Sequence, residues 1–240
     1  MSSEKARVVQ LFATCLGDLV FPEAVADAES LLGEAGFEVE FPPRQTCCGQ
    51  PAFNAGHRAA ARRVAGSFVR AFSRHAPIVC PSGSCATMVS HYLPELVGCQ
   101  PFDVWELSSF LDAHGGELPR RNEGRKLAYH DSCHMLRELR VADAPRNLLQ
   151  RSGAELVPLG RADLCCGFGG TFSVRQPEVS VAMADDKLDA LRETGAEELV
   201  GCDQSCLMHM EGRLRRRGAH VRVRHLAQVL DDAGFGRRDG

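Results

Sequence analysis

Several features that assign a chain to a common class of protein are missing from this 240-residue sequence. Its 31 acidic and 28 basic residues nearly cancel, so charge does not indicate binding to nucleic acid or to a membrane surface. The apolar run near the start of the chain, residues 8–13, is too short for a signal peptide or a membrane span. There is no phosphate-binding P-loop, and Phe172 stands where a dinucleotide fingerprint beginning at Gly167 would need glycine. The sequence therefore offers no nicotinamide or flavin site.

Eleven cysteines stand out against these absences, and ten of them form one pattern that occurs twice. The copies consist of Cys15, Cys47, Cys48, Cys80 and Cys85, and of Cys133, Cys165, Cys166, Cys202 and Cys206. In both copies the first cysteine lies 32 residues before the adjacent pair, and the two copies are 118 residues apart at these positions. A repeat in such register indicates a duplicated thiolate scaffold, which usually binds metal. Cys99 lies outside the pattern and is predicted to be an ordinary packed residue.

Strand and helix patterns alternate along both halves. The sequence predicts an α/β fold with two pseudo-twofold-related, Rossmann-like lobes and mostly parallel sheets. In the first half it predicts strands over 7–13, 37–41 and 78–80, and helices over 22–35 and 58–74, with a further helix beginning at Cys85. The lobes are expected to span residues 1–118 and 119–240, joined by a linker within 112–125. Every repeated cysteine falls in a loop after a strand, where sites form in parallel sheets.

The chemistry of these thiols narrows the ligand. Thiolates are soft donors, and a site of four thiolates selects zinc or an iron–sulfur cluster. Structural zinc usually takes two C-x-x-C pairs, and this sequence contains no C-x-x-C. Gly49 and Gly167 follow the two cysteine pairs and would let the backbone approach a bound group closely. The missing signal peptide predicts a cytoplasmic protein, and because the cytosol keeps thiols reduced, no disulfide framework is expected.

Five segments carry a resemblance to a known family. They are residues 46–54 (TCCGQPAFN), 81–85 (PSGSC), 131–134 (DSCH), 164–170 (LCCGFGG) and 203–209 (DQSCLMH). They resemble the duplicated cysteine-rich CCG family over nearly the whole chain, and within it the lactate-utilisation branch. The wider family includes the B subunit of heterodisulfide reductase and the iron–sulfur subunit of glycolate oxidase, and its members carry iron–sulfur clusters.

The resemblance implies a ligand set and a function. The implied cluster ligands are Cys15, Cys47, Cys48, Cys85, Cys133, Cys165, Cys166 and Cys206, which would hold one cluster per lobe, expected to be [4Fe–4S], or zinc in one lobe. Ser82 and Asp203 stand where the fuller family pattern has a fifth cysteine, which leaves the roles of Cys80 and Cys202 open. The implied function is electron transfer in a complex that oxidises L-lactate to pyruvate, with B- and C-type lactate-utilisation proteins as partners. The alternatives are a thiol–disulfide reductase and a zinc-stabilised interaction module.

Other polar residues near the cysteines are weaker candidates. His130, His134 and His209 flank cluster cysteines, and hydrogen bonding to the ligands is expected rather than general-base catalysis. Arg137 has the chemistry to bind a carboxylate, but a surface role is expected. The sequence does not assign a catalytic residue.

Overall fold

The computed structural model describes residues 7–232 and contains two four-stranded sheets. Every strand pair is parallel, which confirms the predicted α/β fold with two Rossmann-like lobes. The strands of the first lobe are β1 (Arg7–Leu11), β2 (Phe37–Glu40), β3 (Ile78–Cys80) and β4 (Val104–Glu106), in the order β2-β1-β3-β4. Those of the second lobe are β5 (Lys126–Tyr129), β6 (Glu155–Leu156), β7 (Glu198–Gly201) and β8 (Arg222–His225), in the matching order β6-β5-β7-β8.

Helices connect the strands in both lobes. The first lobe contains α1 (Cys15–Val20), α2 (Pro22–Glu34), α3 (Gln50–Asn54), α4 (Arg58–Ala71), α5 (Gly83–Thr87), α6 (Leu93–Val97) and α7 (Leu107–His114). The second contains α8 (Asp143–Arg151), α9 (Thr171–Arg175), α10 (Pro177–Thr194), α11 (Gln204–Arg216) and α12 (Leu226–Leu230). Two π-helical segments, Met88–Tyr92 and His134–Leu139, also occur. Within residues 7–232 no helix is both long enough and apolar enough to cross a bilayer.

The element limits differ from the sequence predictions at a few places. Strand β1 ends at Leu11, two residues before the predicted end, and α3 begins at Gln50, within the loop predicted to carry the first cysteine pair. Helix α3 can form there because Pro51 suits the first turn of a helix and Gly49 precedes it with φ of 91°. The predicted lobe limits at residues 1 and 240 lie outside the described residues, and the boundary at residue 118 stays a prediction.

One hydrophobic core is shared by the two lobes. Helices α2 and α7 of the first lobe pack against α12 and α8 of the second, so Leu31 and Phe110 belong to the same buried cluster as Leu148 and Val229. Each lobe has a second cluster of its own on the other face of its sheet. The shared core fixes the two sheets so that loops after their strands meet, and there Gly83 N–H donates to the Cys202 carbonyl at 3.1 Å.

Candidate metal centre

A single cavity of about 420 Å³ lies where the cysteine loops of the two lobes meet. All eight cysteines that the resemblance implied as ligands line it: Cys15, Cys47, Cys48, Cys85, Cys133, Cys165, Cys166 and Cys206. Each lobe contributes four of them from three loops or helix starts. The two groups of four cysteines, each expected to bind a metal centre within its own lobe, therefore line the same cavity.

The four thiols of the first lobe are neighbours in space. Cys15 begins α1, Cys85 lies in α5, and the adjacent pair Cys47-Cys48 precedes α3. The Sγ atoms of Cys15 and Cys47 are 3.6 Å apart, and the Cys48 thiol is a hydrogen-bond donor toward Cys47 and Cys85. Thr14, before Cys15, has a φ of 65°, and its hydroxyl accepts the Gly17 N–H at 3.1 Å. This unusual backbone conformation turns the chain from β1 into α1 at the cysteine.

The second lobe repeats this arrangement. Cys133 hydrogen-bonds with Cys165, and Cys166 hydrogen-bonds with both Cys165 and Cys206. Cys206 lies in the first turn of α11. In both lobes the thiols thus form a chain in the same order, from the lone cysteine through the adjacent pair to the helical cysteine.

The glycine after each cysteine pair donates a backbone hydrogen bond to the site. Gly49 N–H lies 3.4 Å from Cys47 Sγ, and Gly167 N–H lies 3.4 Å from Cys165 Sγ. Both glycines have positive φ, at 91° and 86°, which side-chain-bearing residues rarely adopt. The two glycines therefore let each cysteine pair fold back so that a peptide N–H reaches its first sulfur.

These hydrogen bonds prepare one thiol of each lobe to be a thiolate. Donation from Cys15, then from Cys48 and the Gly49 backbone, lowers the pKa of Cys47 to about 3. Donation from Cys133, then from Cys166 and the Gly167 backbone, lowers the pKa of Cys165 to about 2. Cys15 and Cys133 are the corresponding donors, and their pKa values are raised. Since the thiolate is the metal-binding form, this donor set fits a thiophilic metal group.

The second lobe adds a nitrogen donor to its cysteines. A ring nitrogen of His130 and the Sγ atoms of Cys166 and Cys206 all lie within 4.8 Å of one another, and all three residues are buried. Burial lowers the pKa of His130 to about 3, so its imidazole is neutral, as metal ligation requires. The sequence placed His130 beside the cysteines but gave no indication that it differs from the other two histidines.

Cys80, Cys99 and Cys202 do not line the cavity. Cys80 and Cys202 are buried behind it, where the Cys80 thiol donates to the Ser82 carbonyl and Tyr129 donates to Cys202. Ser82 and Asp203, which occupy the positions of the missing fifth cysteines, do line the cavity. Ser82 Oγ accepts the Cys85 N–H at 3.4 Å, and Asp203 Oδ2 accepts the Ser84 N–H of the other lobe at 2.8 Å. The fifth position of each lobe therefore presents oxygen rather than sulfur.

The remaining candidates have different surroundings. His134 lines the cavity, with Nδ1 3.6 Å from Cys133 Sγ and Nε2 3.1 Å from the Gln50 amide nitrogen of the first lobe. With Nε2 accepting from Gln50, the ring proton lies on Nδ1 and points to the sulfur. His209 contacts Ser180 Oγ at 3.3 Å, and Arg137 donates to the Asp163 carbonyl at 3.2 Å. Neither of the last two lines the cavity.

Lys187, which no sequence pattern indicated, holds the loop in front of the second cysteine pair. Its side chain is buried and donates to the carbonyls of Arg161, at 3.1 Å, Ala162, and Leu164, at 2.9 Å. Burial lowers its pKa to about 8. A lysine in an amphipathic helix normally suggests solvent, so no local signal distinguished it.

Comparison with known proteins identifies the family. The profile of the CCG family, described as "Cysteine-rich domain", matches residues 9–90 and 127–211. Lactate utilization protein A of Geobacillus sp. (strain WCH70) is 42% identical over 237 residues, which covers 93% of this chain and 98% of that protein. Lactate utilization protein A of Exiguobacterium sp. (strain ATCC BAA-1283 / AT1b) is 41% identical over 245 residues, covering 93% and 97%.

Among solved structures, a glutamate racemase isoform from Bacillus anthracis covers 95% of this chain and 79% of its own at 9% identity. Its TM-score is only 0.40, so no functional argument follows from it. The two profile matches each contain one complete set of four cavity-lining cysteines. The chain therefore belongs to the family of duplicated cysteine-rich CCG domains that includes the lactate utilization A proteins.

Proposed function

We propose that this chain is an iron–sulfur electron-transfer subunit of a complex that oxidises L-lactate to pyruvate. The observation that carries the proposal is the pair of four-thiol sets facing one cavity, in a chain whose relatives are named lactate utilization protein A. Four thiolates are the usual ligand set of a [4Fe–4S] cluster, so each lobe has the donors for one. Such a cluster, when bound, supplies one-electron transfer.

The chain's own residues would perform three tasks at each centre. The cysteines of a lobe would bind the metal centre of that lobe. The peptide N–H groups of Gly49 and Gly167 would stabilise negative charge on the sulfurs of Cys47 and Cys165. Cys48 and Cys166, buried to 2% and 1% exposure, hold the inner side of each centre away from water. His134 donates to Cys133 and, through Gln50, connects the second-lobe centre to the first lobe.

Exposed apolar residues beside the cavity support docking of a partner. Val174 lines the cavity and is 80% exposed, and Leu19, 79% exposed, lies on α1, whose Cys15 and Leu16 line it. Large exposed apolar side chains at a site suggest a protein interface. We propose that B- and C-type lactate-utilisation proteins bind there and that the complex works in the cytoplasm, where thiols stay reduced.

Metal analysis of the anaerobically purified chain tests the cofactor. The expected result is iron with acid-labile sulfide in amounts that match two clusters per chain. Cys99→Ser, which changes a cysteine outside the cavity, should leave both amounts unchanged. Stoichiometric zinc in both lobes without iron would overturn the proposal.

Lactate-dependent dye reduction tests the assignment as a relay. Lactate oxidation removes two electrons together with protons, and the sequence contains no organic-cofactor site to perform that step. The isolated chain should therefore reduce the dye slowly or not at all, and activity should appear when the B- and C-type proteins are added. Rapid turnover by the isolated chain would make it the catalytic subunit instead.

One observation favours a second candidate cofactor in one lobe. The nitrogen of His130 and the sulfurs of Cys166 and Cys206 form a donor set that zinc also accepts. Iron in the first lobe with zinc in the second would give a single-cluster protein. The reductase alternative has less support, because Cys80 and Cys202 lie outside the cavity lining and the fifth positions carry oxygen atoms.

A further inference from the structure

The two lobes differ directly behind their cysteine pairs. Phe12 and His130 occupy matched positions: Phe12 N–H donates to the Val79 carbonyl at 2.9 Å, and His130 N–H donates to the Val200 carbonyl at 2.8 Å. Both side chains are buried, at 0% and 1% exposure. A phenyl ring in the first lobe is thus replaced by an imidazole in the second.

The neighbours of this ring also differ between the lobes. Phe12 packs edge-to-face against Phe68 of α4, with ring centroids 5.2 Å apart. Lys187 of α10 stands in the corresponding place and lies close enough to His130 to perturb its pKa. The duplicated scaffold therefore has an apolar wall behind the first set of thiols and a polar wall behind the second.

The imidazole ring of His130 has no hydrogen-bond partner within the described part of the chain. Both of its ring nitrogens are buried and unpaired, although leaving a buried polar atom without a partner destabilises a folded protein. One ring nitrogen lies within 4.8 Å of Cys166 Sγ and Cys206 Sγ. Because metal–sulfur and metal–nitrogen bonds are about 2.3 and 2.0 Å long, all three atoms lie close enough to serve as ligands of one metal centre. A bound metal would thereby satisfy the orphaned imidazole.

We propose that His130 is a nitrogen ligand in the second-lobe metal centre, where its imidazole takes the place of one of that lobe's four thiolates, and that Phe12 leaves the first-lobe centre with thiolate ligands alone. The assignment rests on the proposed function for the identity of the metal only, since the donor geometry holds for any thiophilic metal. A neutral imidazole adds less negative charge to a cluster than a thiolate does, and histidine ligation raises the reduction potential of iron–sulfur centres. Ligation by His130 would therefore give the second-lobe centre the higher reduction potential of the two.

Pulsed electron paramagnetic resonance of the reduced, iron- and sulfide-reconstituted full chain tests this ligand. Wild-type protein should give two signals, one from each lobe, and one of them should show coupling to a metal-bound imidazole nitrogen. Comparing protein made with ¹⁵N-histidine and with ¹⁴N-histidine identifies that nitrogen as histidine. His130→Phe, which introduces the residue found in the first lobe, should abolish that coupling and lower the midpoint potential of the same signal. His209→Phe is the matched control, because His209 contacts Ser180 Oγ at 3.3 Å, does not line the cavity, and should leave the coupling and the potential unchanged.

Two results would overturn the assignment. One is a reconstituted wild-type chain that shows the signals of two clusters, neither of which carries coupling from a bound histidine nitrogen, a result that needs no variant to fold. The other is a coupling that persists in folded His130→Phe. If the chain takes up zinc rather than iron, the proposed function fails, but the ligand assignment can still be tested. Zinc-edge X-ray absorption of the same proteins then measures the nitrogen ligands of the metal. A nitrogen contribution that persists in His130→Phe would refute His130 as the ligand.

Discussion

One glycine in each lobe decides how closely the cysteine pair can fold back on its own backbone. A Cβ added at Gly167 would lie 2.5 Å from the Ser180 carbonyl oxygen and 2.9 Å from Met183 Cβ. A Cβ added at Gly49 would find its nearest neighbour, Val64, at an ordinary 3.5 Å. Both positions have positive φ, so both resist substitution, but only the second-lobe glycine is also enclosed by backbone.

Alanine substitution at these two glycines should therefore have unequal effects. Gly49→Ala should lower the free energy of unfolding by about 1–2 kcal/mol, the cost of a left-handed backbone with a Cβ. Gly167→Ala should lower it by about 3–4 kcal/mol, because the Ser180 carbonyl must also move. Urea unfolding of the reduced, metal-free proteins measures both values. Equal losses of unfolding free energy in the two variants would contradict the close packing around Gly167.

At the scale of elements, helix α10 does more than cover the second sheet. Its Lys187 reaches three carbonyls of residues 161–164, immediately before Cys165, and so fixes the loop that presents the cysteine pair. The first-lobe loop is held differently: Gln45 accepts the Ala13 N–H at 2.8 Å and donates to the Leu11 carbonyl at 3.2 Å. The same cysteine geometry is thus supported from a helix in one lobe and from the strand end in the other.

Removing the Lys187 amine should loosen the second centre selectively. Lys187→Met keeps the length and burial of the side chain but leaves the loop carbonyls without their donor, so we expect unfolding free energy to fall by about 1–3 kcal/mol. Metal should be lost from the second lobe first. Arg192→Met removes the same charge from an exposed position of α10 and should change stability by less than about 0.5 kcal/mol. Iron content and urea unfolding distinguish the two, and similar values for both variants would refute the role of Lys187.

The sequence predicted elements well where a periodic pattern was long, and less well at their ends. The limits of α2 and β3 follow from Pro22, Gly36 and the run Ile78–Cys80, which are strong local signals. The π-helical segment His134–Leu139 was not predicted, because a π turn has no characteristic residue pattern. The contrast between Phe12 and His130 was visible in the sequence, but its meaning required the distance from the imidazole to Cys166 and Cys206.

For the whole molecule, spacing within each repeat predicted which cysteines belong together but not how the two sets face each other. That relation depends on the shared core, in which helices from both lobes interlock, and on contacts such as Ser84 N–H to Asp203 Oδ2. Such contacts join residues more than a hundred positions apart, which no local pattern encodes. The result is a single cavity bordered by both thiol sets.

A common cavity raises the question of whether the two thiol sets hold separate groups or one shared group. The thiol–thiol hydrogen bonds that shift the pKa values of Cys47 and Cys165 connect each to partners of its own lobe, which favours two local centres. Cys47→Ser should therefore remove iron and sulfide from the first lobe and retain about half of each, and Cys165→Ser should do the same for the second lobe. Anaerobic iron and sulfide analysis with electron paramagnetic resonance checks this, with Cys99→Ser as the cysteine control that keeps both centres. Complete loss of metal from a folded protein in either single variant would instead mean one group that bridges the lobes across the cavity.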